Sequence, residues 1–373
     1  MDRAEPLEIF LVVAPGLEPL LADEARAAGF TVTETIPGGV TLTGGWPEAW
    51  RANLVLRGAT RVLVRLGSFR AFHLAQLDKR ARKFDWGGIL RPGMAVRVDV
   101  TTKASKIYHA KAAAQRIETA LREEAKVTID PEAAISLKVR IDDNLVTFSA
   151  DTSGESLHKR GHKQAMGKAP MRETLASLFL RACGYDGAEP VVDPMSGSGT
   201  FVIEAAEIAA GLQPGRARSF AFENFAGFDS DAFAAMKTAP GPLPDLAFHG
   251  FDRDQGAVQS ATANADRAGV GSICHFTHRP VSELVPPEGP PGLVIVNPPY
   301  GTRIGNKKLL FGLYGALGGR LRDGFAGWRV GIVTSDNALA KATGLPFKPA
   351  GPGIDHGGLK VRLWQTGPLK GGQ

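Results

Sequence analysis

The sequence predicts an α/β protein in two parts, a small α+β module followed by a larger half built on a mostly parallel sheet. Two hydrophobic patterns and one block of charge lead to that reading. Up to about residue 150, short alternating apolar runs (IFLVVA, GVTLTG, RVLVRLG, MAVRVDVTT, ISLKVRIDDNLVTFSAD) interleave with helix-like segments (LEPLLADEARAAG, WPEAWRANLVL, HAKAAAQRIETALREEA). That order suits one or two small α+β units. From about residue 165 the pattern becomes strand, glycine turn, helix, repeated: PVVD then MSGSGTFVIEAAEIAAG, FHGFD then RDQGAVQSATANADRAG, GLVIVNPP then KKLLFGLYGALGGRLRDGF, WRVGIVTSD then NALAKATG. Apolar strands alternating with amphipathic helices predict a parallel sheet covered on both faces.

The charge is uneven. Residues 1–56 carry 3 Lys/Arg against 8 Asp/Glu, residues 57–172 carry 23 against 12, and residues 173–373 carry 18 against 18. The basic excess is therefore confined to the middle of the chain, where it suits a phosphate backbone, since neutralising phosphates releases counterions. MAVRVDV and LKVRI place Arg or Lys between apolar positions, which predicts half-buried strands with a basic outer face. The segment DTSGESLHKRGHKQAMGKAP is polar, basic and interrupted by Gly and Pro, and it reads as a linker or substrate-facing loop. GLQPGRARSFAFENFAGFDSDAFAAMKTAPGPLPD reads as a long insertion in the second half.

At 373 residues and 43% hydrophobic content the chain can bury a sizeable core divided among two or three domains. No apolar run approaches the ~20 residues needed to span a bilayer, and the start MDRAEPLEIFLVV lacks a basic leader pattern, so a cytoplasmic protein without a membrane partner is expected. Cys183 and Cys274 stand apart, and the eight histidines show no ligand spacing, so no metal is expected.

Three strand ends carry the chemistry. Ligands of open α/β sheets bind beyond the carboxyl ends of the strands, and Asp193 ends the run PVVD. Gly197 and Gly199 then clear space for a ligand at the backbone, and the helix starting near Thr200 aims free N–H groups at it. A phosphate-binding loop would need Lys after the last Gly, where Thr200 and Phe201 stand. A dinucleotide turn would need a small residue where Val202 stands. S-adenosyl-methionine suits the turn better, with its amino group at Asp193. At the second strand end, GFDRD, Asp252 can accept the ribose hydroxyls of an adenosine ligand, while Asp254 reads as a helix-start residue. At the third, VIVNPPYG, two prolines make a rigid turn. Asn297 Oδ1 and the Pro298 carbonyl can each accept a hydrogen of a planar exocyclic amine, and Tyr300 can stack on its ring. Holding both hydrogens out of plane turns the nitrogen lone pair toward a methyl donor, so orientation replaces a strong base.

Taken together, these motifs resemble those of the THUMP-domain class I methyltransferases that modify guanine N2 in RNA, and the resemblance spans nearly the whole chain. DPMSGSGTFVIEAA is similar to the family's first cofactor motif, GFDRD to its second, NPPYGTRIG to its catalytic motif and KASKIYHAKAAAQRI to the THUMP core. DTSGESLHKRGHK with APMRETLA is similar to the signature that joins the RNA-binding and catalytic domains. The resemblance implies a ferredoxin-like subdomain over 1–58, a THUMP domain over 59–152, a basic linker over 153–170 and a Rossmann-like methyltransferase domain over 171–373. It also implies a flipped base as substrate.

Carried over residue by residue, it implies catalytic roles for Asn297, Pro298, Pro299 and Tyr300, and cofactor contacts for Asp193, Pro194, Ser196, Gly197, Gly199, Thr200, Asp252 and Asn297. Lys103, Lys106, His109, Lys111, Lys159, Arg160 and Lys163, with His158, are the expected phosphate contacts. Arg303 either touches a substrate phosphate or pairs with an acidic neighbour. The family usually has an Asp after the next strand to bind the adenine amine, but Arg279 and Pro280 stand there, leaving adenine to backbone groups, Ser282 or Glu283. RNA is the expected partner, with 23S rRNA favoured over tRNA. DNA amines are the alternative substrate of the same turn, and a non-catalytic ribosome-assembly factor is the alternative of another class.

Overall fold

The computed structural model describes residues 6–164, 171–301 and 307–371. The chain forms two compact units. One is built from Met1–Val13, Ala22–Leu157 and Arg218–Thr238, the other from Ala14–Leu21, His158–Ala217 and Ala239–Gln373.

The first unit is organised on one eight-stranded sheet. Its strands are β1 (Leu7–Val12), β2 (Thr31–Ile36), β3 (Gly39–Gly44), β4 (Arg61–Arg70), β5 (Ala95–Lys103), β6 (Thr128–Ile129), β7 (Ile135–Asp142) and β8 (Leu145–Asp151), in the order β2-β3-β1-β4-β8-β7-β5-β6. β4 pairs with β1 on one side and β8 on the other. The backbone ladder therefore runs without a break through the ferredoxin-like and THUMP segments expected from the sequence.

In β7, Ile135, Leu137, Val139 and Ile141 are buried while Lys138 and Arg140 face outward, the period of two that the sequence shows. The expected basic outer face is largely neutralised, however. Lys138 Nζ and Arg97 Nε lie 2.6 and 3.2 Å from Asp99 Oδ2, and Arg61 Nη1 lies 2.6 Å from Asp151 Oδ2. Burial alone would raise the Asp99 carboxyl, but Lys138, Ser136 and Arg97 outweigh it and hold the group below its ordinary range. IDDNLV, part of one apolar run in the sequence, turns at Asp143 and Asn144, whose φ of 45° and 62° suit a tight hairpin.

The supposed insertion supplies core to this unit. Phe220 and Phe222 stack at 5.1 Å, Phe222 packs on Trp50 at 6.0 Å, and Phe228 and Phe233 close the cluster. Arg218 fixes the segment by donating to the carbonyls of Glu155 and Ser156 at 2.7 and 2.9 Å. Residues 218–238, read from sequence as part of the catalytic half, thus cluster with the first unit because their aromatic side chains find apolar partners there.

The second unit carries a seven-stranded sheet of β9 (Val191–Asp193), β10 (Phe248–Asp252), β11 (Cys274–His278), β12 (Leu293–Val296), β13 (Arg329–Thr334), β14 (Ile354–His356) and β15 (Leu359–Gln365). The order is β11-β10-β9-β12-β13-β15-β14. β9 to β13 run parallel, and β14 and β15 form an antiparallel hairpin against β13. This is a Rossmann-like α/β fold. β12 is buried at all of its positions, which requires cover on both faces. Val192, Val294, Val296, Val330 and Ile332 meet Leu310, Tyr314, Leu317 and Leu321 of the helix Lys307–Gly324 in one apolar cluster. The strand order reverses between β9 and β12, and a crevice opens at such a reversal.

Candidate active site

Register decides which residues meet at that crevice. Val192 pairs with His249 and Val294, and Asp193 pairs with Gly250, so Asp193, Asp252 and Asn297 end three adjacent strands. Asp193 is 2% exposed, and its Oδ1 accepts a hydrogen bond from Met195 N at 3.0 Å. Burial is the main cause that pushes its carboxyl up to about 8. The Met195 amide works against the rise, and the nearby Asp252 charge adds to it. Asp252 ties the two loops together, its Oδ2 accepting from Gly197 N and its Oδ1 from Asp254 N, both at 2.9 Å. Each oxygen keeps a second lone pair for a ligand. Asp254 caps the next helix by accepting from Gly256 N at 2.8 Å, the helix-start role its position predicts.

The glycine turn is built for a close approach. Pro194 and Ser196 are buried, and Ser196 N donates to Phe251 O at 2.8 Å. Gly197 has φ 53°, and a Cβ there would meet open space, so this side of the turn can receive a ligand. Gly199 has φ 84° and caps the helix Thr200–Ala209; a Cβ there would come within 2.9 Å of Phe276. The first glycine clears the ligand side and the second clears the packing side. Asn264, which the sequence reading missed, donates from Nδ2 to Ser198 O at 3.1 Å and holds the turn from behind.

At the end of β12, Pro298 is buried, while Asn297, Pro299 and Tyr300 are half-buried. Asn297 Oδ1 is buried and has no hydrogen-bond partner among the described residues, and Ser196 Oγ shares that condition. A buried acceptor left unpaired costs about 1–3 kcal/mol, and these two lie in the turns that follow adjacent strands β9 and β12. Arg279 N donates to Asp252 O at 2.9 Å, and the Arg279 guanidinium lies 5.3 Å from the Phe251 ring centre. Pro280 opens a short turn in which Ser282 and Glu283 are exposed. Arg303 lies outside the described residues.

Two of the expected phosphate contacts need correction. Arg160 is buried, with Nη2 3.2 Å from Glu204 Oε1. Lys163 Nζ lies 3.1 Å from Glu173 Oε1 and donates to Thr200 Oγ1 at 2.8 Å. These cations neutralise carboxylates inside the second unit, and Lys163 also holds the Thr200 side chain at the start of the helix Thr200–Ala209. Linker spacing alone cannot reveal such partners, because Glu173 and Glu204 lie on helices that fold back onto it. Lys163→Ala should therefore lower unfolding stability by about 3 kcal/mol, the cost of stranding one member of a buried pair, measured by denaturant titration. His158 is pushed down to about 4, chiefly by burial and then by Arg172 and Arg160, so it is no cation at neutral pH. Lys159 is exposed.

Lys103, Lys106, His109 and Lys111 are exposed as well, and they have aromatic company. Lys106 Nζ lies 5.5 Å from the ring centre of Phe72, which is 41% exposed, and Tyr108 is 69% exposed with its ring 4.1 Å from His109. Phe72, absent from the sequence reading, reaches this patch because the register Arg70↔Leu145, Leu145↔Asp142 and Asp142↔Lys103 brings the ends of β4 and β5 to one end of the sheet. Cations with exposed rings suit unpaired nucleotides.

Residues 160–346 match the RMKL-like methyltransferase domain, and residues 8–63 match the RlmL ferredoxin-like domain. The chain belongs to the RMKL-like methyltransferase family. Within it, the ribosomal RNA large subunit methyltransferase K/L of Chromohalobacter salexigens is 34% identical over 365 residues, covering 92% of this chain and 50% of that enzyme. The chain thus spans about half the length of the K/L relatives it matches. A candidate RNA methyltransferase of Synechocystis sp. is 31% identical over 366 residues, covering 95% of both chains. Among solved structures, a candidate methyltransferase complexed with SAH superposes with TM-score 0.87 at 26% identity, covering 99% of both chains.

Proposed function

We propose that this chain is an S-adenosyl-methionine-dependent RNA methyltransferase that methylates the exocyclic N2 amine of guanine, with 23S rRNA as its substrate. The single observation that carries the reading is the buried Asn297 Oδ1 at the end of β12, which has no hydrogen-bond partner among the described residues and lies beside the acidic ends of β9 and β10. Its chemistry asks for an N–H donor. The cofactor fits the same residues: Asp193 for an ammonium, Asp252 for ribose hydroxyls, and the open side of Gly197 for a chain laid along the backbone. When bound, S-adenosyl-methionine supplies an electrophilic methyl group. Asn297 Oδ1 and the Pro298 carbonyl accept the two hydrogens of the amine, and Tyr300 covers the face of the base. The protein's contribution is orientation and exclusion of water. The family resemblance reads the first unit as a ferredoxin-like and THUMP module, with Lys103, Lys106, His109, Lys111 and Lys159 contacting phosphates.

The test is transfer by the purified chain to separately purified 23S rRNA, tRNA and duplex DNA, with the products digested and read by nucleoside mass spectrometry. N2-methylguanosine in rRNA supports the reading. The modification in tRNA alone would correct the substrate, methylated adenine in DNA would replace it, and cofactor binding without transfer to any acceptor would leave an RNA-binding factor. The combined variant Lys103→Ala, Lys106→Ala, Lys111→Ala should weaken RNA binding uniformly across sequences and lower the salt slope by about 0.7–0.9 per residue. Its stability should stay within about 0.5 kcal/mol per substitution, as for other surface changes.

A further inference from the structure

The turn Asn297–Tyr300 is nearly rigid by its covalent structure alone. Asn297 and Pro298 each precede a proline, which confines their ψ to extended values, and the rings of Pro298 and Pro299 fix both φ angles. The first soft torsion along the turn is ψ of Pro299, and the direction of the Pro299 carbonyl reports it. That carbonyl oxygen lies 3.3 Å from the hydroxyl of Tyr314, a fully buried residue of the helix Lys307–Gly324. The same hydroxyl lies 3.2 Å from Thr334 Oγ1 at the end of β13, and Thr334 Oγ1 accepts from Asp336 N at 3.2 Å.

One phenol hydrogen cannot serve two acceptors, and the carbonyl can only accept. The directions follow: Asp336 N–H donates to Thr334, the Thr334 hydroxyl donates to Tyr314, and the Tyr314 hydroxyl donates to the Pro299 carbonyl. We infer that Tyr314 is a positioning residue that holds ψ of Pro299 in the catalytic turn, using Thr334 as its own brace, and so sets the direction in which Tyr300 leaves the turn relative to Asn297. Tyr314 touches neither cofactor nor base in this role. The inference rests on reading Asn297–Tyr300 as the turn that presents the amine.

Tyr314→Phe keeps the packed ring and removes only the hydroxyl. It should lower kcat for methyl transfer about tenfold, the effect of one buried hydrogen bond of about 1.4 kcal/mol. KM for RNA and Kd for SAH should remain within about twofold. Thr334→Val should move kcat in the same direction, and Thr334→Ser, which keeps the hydroxyl, should restore it. A second readout is independent of activity: the chain has four tyrosines, so fluorotyrosine labelling gives four assignable fluorine resonances. The Tyr300 resonance should broaden or shift in Tyr314→Phe. An unchanged Tyr300 resonance, an unchanged kcat, or a loss of SAH affinity in step with kcat overturns the inference. If the unmodified chain transfers methyl to no acceptor, the functional reading fails instead, and the Tyr300 resonance alone still decides whether Tyr314 locks the turn.

Discussion

Asn297→Ala should lower methyl transfer about 10²- to 10³-fold, the scale on which a single preorganised polar group at a reacting centre acts, and should leave SAH affinity within about twofold. The cofactor's ammonium is assigned to Asp193 and its ribose hydroxyls to Asp252, on other strands, so the loss should fall on the chemical step. Single-turnover transfer alongside calorimetric titration of SAH checks both halves. A fall in SAH affinity matching the fall in rate would assign Asn297 to cofactor binding instead. Stability adds a sign that a structural residue would not show. Asn297 Oδ1 is buried without a partner among the described residues, so removing it should leave the protein at least as stable as before.

Asp193 should make cofactor binding depend on pH. Its carboxyl is pushed up to about 8 by burial, with the Asp252 charge adding to the rise. Below that pH the group holds its proton and offers an ammonium no charge; above it the carboxylate is available. SAH affinity should therefore climb about tenfold per pH unit from 6 toward 8 and level off beyond. Asp193→Asn should abolish the slope and weaken binding at pH 8 about 10²-fold, as expected when one partner of a buried charge pair is lost. The ligand-free protein should show the opposite trend in stability. The folded chain binds this proton more tightly than the unfolded chain, whose carboxyl sits near 3.8, so the contribution is full below about pH 4 and is lost as pH rises through 8. A flat profile in Asp193→Asn against a falling one in the parent would confirm the sign.

Much of the site was legible because its residues are consecutive. DPMSGSGT, GFDRD and NPPY each hold a strand end and its turn within a few residues, and turn chemistry is local. The alternation in β7 and the unbroken apolar run of β12 were legible for the same reason. β2 was not: only Val32 and Ile36 of TVTETI are apolar, and an edge strand with an open face needs no more. The helix Leu74–Arg82 has little apolar period, since LAQLDKRAR buries only Leu77 and Ala81.

The residues behind the site lay out of reach for a different reason. Lys163 and Arg160 look like phosphate contacts in a string of cations, and only folding places Glu173 and Glu204 against them. Tyr314 looks like one more apolar residue of KKLLFGLYG until its hydroxyl meets a carbonyl fifteen positions earlier. Covalent neighbours and hydrophobic period suffice to place the alternation of strand and helix and the three strand ends from the sequence alone. Only the folded chain shows that Arg160 and Lys163 pair with carboxylates, that residues 218–238 cluster with the first unit and that the Tyr314 hydroxyl reaches the Pro299 carbonyl. Burial and long-range pairing exist only once the chain has closed on itself.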